Sequence, residues 1–174
     1  MAKNCEHAKR QLIIMRHGKS DWDADVEDFY RPLKKRGVES AQKIGYWLND
    51  QQLIPDIIIA SPAIRALATS EHVAAAIGMT DIEQDARIYE ASLSQLLSVL
   101  ADIPTEYRRP MIVGHNPGFE ELLLHLSKVD DSFYKGYKLM TTAAIAILNM
   151  PDDWQQLDRY CGELVDVVRG GDLK

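Results

Sequence analysis

Short unbroken apolar runs alternate with stretches whose apolar residues recur at helical spacing. The first run, Leu12-Ile13-Ile14-Met15, ends abruptly in Arg16-His17-Gly18. Four consecutive apolar residues suit a strand covered on both faces, and Gly18 permits a tight exit, so polar residues are delivered at the strand's C-terminal end. Asp56-Ile57-Ile58-Ile59-Ala60 and Met111-Ile112-Val113-Gly114 repeat the pattern. Val38, Ala41, Ile44, Gly45 and Leu48 mark the inner face of a helix running to about Asp50. Ser61 at an N-cap and Pro62 at the first helical position predict a second helix that stops at Gly78. Ile82 to Ile88 reads as a weaker extended segment, and Ser92 caps a helix with Leu93, Leu96, Leu97 and Leu100 on its apolar side. Asn116 and Pro117 read as the cap and first position of a helix carrying Phe119, Leu122, Leu123 and Leu126. Thr141 to Asn149 predicts a strand, and after a Pro151-Asp152-Asp153 turn a further strand spans Trp154 to Tyr160, the pair closing one edge of the sheet. Gly170-Gly171 reads as a frayed tail.

Strands alternating with helices predict an α/β fold, a three-layer α/β/α arrangement around a mostly parallel central sheet. A chain of 174 residues suits a single domain, 1–174, with a core over about 11–161. Apolar residues make up 46% and charged residues 26%, ordinary for a soluble globular protein. No secretion signal or membrane span is legible, and a cytoplasmic location is expected. Cys5 and Cys161 form no CxxC pair and are expected to be reduced thiols. The net charge of −6, from 26 acidic and 20 basic residues, argues against a nucleic-acid surface. It leaves phosphate binding open, since a few converging arginines outweigh a distant acidic surface.

In such a sheet the polar residues after the three buried strands gather on one edge: Arg16 and His17, then Arg65 in the first turn of the following helix, then His115. Two guanidiniums can hold one phosphoryl group through paired hydrogen bonds, and a neutral imidazole beside them can attack phosphorus. His7, His72 and His125 are read as surface or structural residues. Asp21, Asp23 and Asp25 lack the glycine and closing glutamate of a calcium loop, and neither a GxxxxGK[ST] loop nor a GxGxxG fingerprint is present. No metal or cofactor is expected. The Lys34-Lys35-Arg36 cluster opening the first helix opposes the helix dipole, a placement that a nearby anion would make understandable.

Arg16-His17-Gly18, Ser61-Pro62-Ala63-Ile64-Arg65-Ala66-Leu67-Ala68-Thr69 and Val113-Gly114-His115-Asn116 together resemble the motif set of the histidine phosphatase superfamily, the phosphoglycerate mutase-like fold. Arg31-Pro32-Leu33 followed by Arg36-Gly37, Thr141-Thr142-Ala143-Ala144-Ile145 and the short length more narrowly resemble SixA-type phosphohistidine phosphatases, which lack a large cap insertion. The resemblance implies that His17 becomes phosphorylated without metal assistance, and that Arg16, Arg65 and His115 bind the transferred group, with Gly18 and Asn116 beside them. Lys19 stands where many members have glutamate. Glu90 is the first candidate for proton donor and Asp21 the second. The implied substrate is a phosphohistidine-bearing protein; the alternatives are a small phosphate monoester, such as a phosphosugar or nucleotide, and a phosphate-binding module without turnover. No dimerisation helix is evident, and a monomer is expected.

Overall fold

The computed structural model describes residues 9–174, so Cys5 and His7 lie outside the described residues. The three apolar runs form β1 (Arg10–Arg16), β2 (Ile57–Ala60) and β4 (Pro110–Gly114). With β3 (Glu83–Gln84), β5 (Ala144–Met150) and β6 (Glu163–Arg169) they build one six-stranded sheet in the order β3-β2-β4-β1-β5-β6. The strands β3, β2, β4 and β1 are parallel, and β5 and β6 close one edge in antiparallel pairing.

Strand side chains alternate between faces, and each face is covered by helices. Ile13, Met15, Ile58, Ala60, Met111 and Val113 pack with Ala41, Ile44 and Leu48 of α1 (Lys35–Asp50) and Val73 and Ile77 of α2 (Ile64–Ile77). Leu12, Ile14, Ile57, Ile59 and Ile112 pack on the other face with Leu96 and Leu100 of α3 (Leu93–Ala101) and Leu122 and Leu126 of α4 (Gly118–Leu126). The result is the three-layer α/β/α arrangement with a mostly parallel sheet. Among the described residues, no helix is long and apolar enough to cross a membrane.

Several local features differ from expectation. The helix assigned to a Ser61 cap begins at Ile64 with Ala63 as its N-cap, and α4 begins at Gly118 with Pro117 as its N-cap. Ser61 and Asn116 are instead drawn by other partners, described below. Ser92 does cap α3, in a reciprocal capping box with Gln95. Of the segment from Ile82 to Ile88, only Glu83–Gln84 pairs as a strand, and Ala86–Ile88 is a 3-10 turn. The predicted strand from Trp154 to Tyr160 is irregular, because Trp154 is pinned where it stands: it is buried, its Nε1 donates to Pro151 O at 2.8 Å, and the Arg10 guanidinium lies 3.7 Å from its ring centroid. Arg10, also fully buried, donates to the carbonyls of Ile103, Pro104, Tyr107 and Asp152. The second edge strand is β6. The expected frayed tail is docked: Gly170 N–H donates to Ala143 O at 3.1 Å, and Lys43 Nζ to Leu173 O at 3.1 Å.

Candidate active site

Because β1, β2 and β4 are parallel neighbours, their C-terminal ends share one edge. Arg16 ends β1 and His17 follows it, Ser61 follows β2, and His115 follows β4. Arg65, the second residue of α2, leans back to the same place. The rings of His17 and His115 lie 5.2 Å apart between centroids, and both residues are buried, as is Arg65. The structure thus brings together four of the residues singled out from the sequence.

Hydrogen bonds set the tautomer of His17. Its Nδ1 lies 2.7 Å from Gly18 O, which only accepts, so Nδ1 carries the proton. The Nε2 lone pair then receives Arg65 Nε–H at 3.3 Å. Burial pushes the His17 pKa down to about 3; the bond to Gly18 O opposes this, while the charges of His115, Arg65 and Arg16 add to it. His17 is therefore a neutral imidazole at physiological pH, with Nε2 as its nucleophilic nitrogen.

His115 is set by Ser61. Ser61 Oγ accepts the Ala63 N–H at 3.3 Å and lies 2.8 Å from His115 Nε2. Among the described contacts, the hydroxyl proton has His115 Nε2 as its acceptor, which leaves the imidazole proton on Nδ1. That nitrogen is buried and has no partner among the described residues. Burial, with Arg65 next in importance, lowers the His115 pKa to about 4. Arg16 donates through Nη1 to Met140 O at 3.0 Å, and its Nε is likewise buried without a partner among the described residues. Buried donors left unpaired are costly, and an oxyanion satisfies both kinds.

The loop after β1 supplies a residue that sequence reasoning missed. Asp28 accepts from Arg31 at 2.7 Å, Tyr89 at 2.8 Å and Arg65 at 3.0 Å, and its carbonyl takes Arg65 Nη1 at 2.7 Å. Hydrogen bonds from Arg31, Tyr89 and Arg65, led by Arg31, hold its carboxyl well below the usual carboxylate range. Arg31 is tied in turn to Ser20 Oγ and stacks 3.6 Å from the Trp22 ring centroid.

Glu90 stands on the rim of a cavity of about 410 Å³ lined also by Asp28, Arg65, Tyr89 and His115. It is exposed and holds a left-handed backbone at φ 53°, unusual outside glycine. Asp21 lies elsewhere: its carboxylate accepts from Asp23 N–H and sits 3.7 Å from Lys34 Nζ, and it does not line this cavity. Gly18 stands where β1 meets α1. Its N–H donates to Thr69 Oγ1 at 3.0 Å, and a Cβ there would meet Gly37 O at 2.7 Å, so its lack of a side chain serves the close approach of α1. Asn116 lines the cavity, but its Nδ2 donates to Met140 O and Glu120 Oε2. Among the described residues no group of three or more His, Cys, Asp and Glu side chains is placed to hold a metal ion.

The signals missed have simple causes. Ser61 precedes proline, which reads as a helix start, and its hydroxyl role follows only from the neighbouring strand. Asp28 is one of five acidic residues between positions 21 and 28, and only the fold distinguishes it.

The sequence profile of the histidine phosphatase superfamily (branch 1) matches residues 12–98, which carry Arg16, His17 and Arg65. An uncharacterised protein of Mycobacterium leprae is 29% identical over 160 residues, covering 87% of this chain and 96% of that one. The structure of the protein histidine phosphatase SixA complexed with tungstate superposes with a TM-score of 0.79 at 23% identity, over 94% of this chain and 99% of that one. A structure proposed to be a phosphohistidine phosphatase SixA, from Agrobacterium tumefaciens, has a TM-score of 0.78 at 27% identity, covering 92% and 98% respectively.

Proposed function

Because this chain belongs to the histidine phosphatase superfamily, branch 1, we propose that it is a phosphohydrolase that works through phosphorylated His17 and takes phosphohistidine on a protein as its substrate. The observation that carries the chemistry is the tautomer of His17, whose proton is held on Nδ1 by Gly18 O, so that a neutral Nε2 lone pair lies between two arginines and a second histidine. In the first step Nε2 attacks phosphorus, the P–N bond to the substrate imidazole breaks, and the leaving nitrogen takes a proton from Glu90 on the cavity rim. Arg16, Arg65 and His115 Nδ1–H stabilise the equatorial oxygens as charge develops. In the second step water attacks the phosphorus on His17, Glu90 takes the water's proton, and inorganic phosphate leaves with Nε2 restored. No step is routed through a metal.

Two observations support a protein-borne substrate. The cavity opens at the surface beside an exposed Glu90, and the segment from Asp21 to Tyr30 is held against Arg65 through Asp28 rather than forming a separate cap. The 27% identity with the Agrobacterium structure agrees with this reading.

The test is phosphate release from a histidine-phosphorylated protein and from p-nitrophenyl phosphate, side by side in EDTA, with acid-labile label trapped on the enzyme. Release from the protein that vanishes in His17→Ala, with the label on His17, is the expected result. Full activity of His17→Ala, or label on another residue, would overturn the mechanism; preference for the aryl ester would overturn the substrate.

A further inference from the structure

On the Arg16 side of the histidines, away from Asp28 and Glu90, the surface carries a basic groove that, beyond Arg16, the chemistry above does not use. Two cavities of about 530 and 500 Å³ share Lys19, Arg36, Tyr137, Lys138, Thr141 and Thr142, so they form one continuous trough. Its inner end is Arg16 itself. Among the described residues, Lys19, Arg36 and Lys138 enter no ion pair; Lys135 at the outer end is paired with Asp172, and the other acid, Glu120, accepts from Asn116. A trough of unneutralised cations on a chain of net charge −6 is a local reversal of sign.

A second observation points the same way. Helix α1 begins beside this trough with no acidic residue in its first turn and no side-chain cap; Lys35 there pairs with Glu39 outside the trough, while Arg36 lines the trough and enters no ion pair among the described residues. Cations at a helix N-terminus oppose the dipole, and an anion between them and the helix end offsets that repulsion. The trough is of the size that holds a sizeable ligand, not one small anion: Arg16 lines its inner cavity, Lys135 its outer one, and Lys19, Arg36 and Lys138 line both.

We propose that the trough seats an acidic stretch of the protein substrate flanking its phosphorylated histidine, with Lys19, Arg36 and Lys138 as the residues that read it. The inference rests on the protein-phosphohistidine reading above. A nucleic acid is the other polyanion, and the acidic remainder of the surface disfavours it, because a long uniform polyanion meets that surface as well.

Two synthetic peptides carry the test, one with phosphohistidine flanked by aspartates and one with serines in their place. Both kcat and KM are measured on the full chain and on Arg36→Gln/Lys138→Gln. The expected result is a KM about tenfold lower for the acidic peptide at equal kcat, the worth of two or three exposed ion pairs. The difference collapses in the double variant and in about 0.5 M salt. Equal kcat/KM for the two peptides, or a preference that survives in the variant, would overturn the inference alone. Tighter binding of a fluorescent oligothymidylate than of the acidic peptide would overturn it in favour of nucleic acid. Hydrolysis of neither peptide, beside retained turnover of p-nitrophenyl phosphate, would overturn the protein-phosphohistidine reading and this inference with it.

Discussion

Ser61 Oγ lies 2.8 Å from His115 Nε2, and this contact decides which nitrogen of His115 carries the proton. Ser61 is fully buried, and its second contact, from Ala63 N–H, uses the oxygen as an acceptor. In Ser61→Ala the imidazole loses the partner that holds its proton on Nδ1, and both tautomers become populated. Since a neutral hydrogen bond contributes about 1 kcal/mol, kcat falls on the order of tenfold. Nitrogen-15 chemical shifts of His115 report the tautomer directly; an unchanged Nδ1–H form in the variant would show that Ser61 is not its determinant.

In the proposed mechanism the two guanidiniums act on the charge that develops at phosphorus. Arg65→Ala and Arg16→Ala should each lower kcat by 10²–10³, or about 2–4 kcal/mol, as loss of a preorganised donor does at other sites. Arg65→Lys should recover little of it, because a point charge cannot reach His17 Nε2 and two oxygens through one planar fork. Steady-state kinetics with circular dichroism as a folding control checks both.

Asp28 holds the guanidinium that the proposed mechanism gives to the substrate. Its carboxylate is half-exposed while Arg65 is nearly buried, so the pair is a modest one. Removing the negative charge in Asp28→Asn leaves the pocket more positive, and inorganic phosphate should bind about two- to fivefold tighter. Product inhibition or titration calorimetry with phosphate measures this; weaker binding would mean that Asp28 orders the arginine more than it opposes the anion.

The depressed pKa values of His17 and His115 carry a stability consequence with a definite sign. The folded chain holds them at about 3 and about 4, whereas the unfolded chain binds those protons near the ordinary value of 6.5. As pH falls below 6.5 the unfolded state takes up more protons than the folded one, so this contribution is whole above that pH and drains away toward pH 3 to 4. The ring protons of both histidines should show no titration between pH 7 and 5. Replacing both by Gln should flatten the fall in unfolding midpoint over pH 6.5 to 4.

The parts of the fold legible in the sequence are those where one physical signal acts alone. Ile13 and Ile58 lie in apolar runs with no competing reading, so β1 and β2, and through them the edge that carries Arg16 and His17, follow from burial on both faces. Where two signals compete, the longer-range one wins. Trp154 looks like a strand residue, but its ring is held by Arg10 from the far end of the chain. Ser61 before Pro62 looks like a cap, but a buried histidine that follows the adjacent strand takes its hydroxyl. Gly170 looks like loose tail, but a carbonyl at the start of β5 claims its N–H. Each is a contact between residues many positions apart, which composition and period do not encode.

The alternation of β1 has a consequence for the reaction. Leu12 and Ile14 face α3 and α4, Ile13 and Met15 face α1 and α2, and the sequence of faces runs on into the next two residues. Arg16 therefore leaves the sheet toward α4 and Met140, and His17 toward Arg65 of α2. In the proposed reaction two adjacent residues would thereby meet the phosphoryl group from opposite sides of the sheet with no loop between them. Parity is thus part of the proposed catalyst: inserting or deleting a single residue within β1 would exchange the sides of His17 and Arg16, even if every other side chain kept its place.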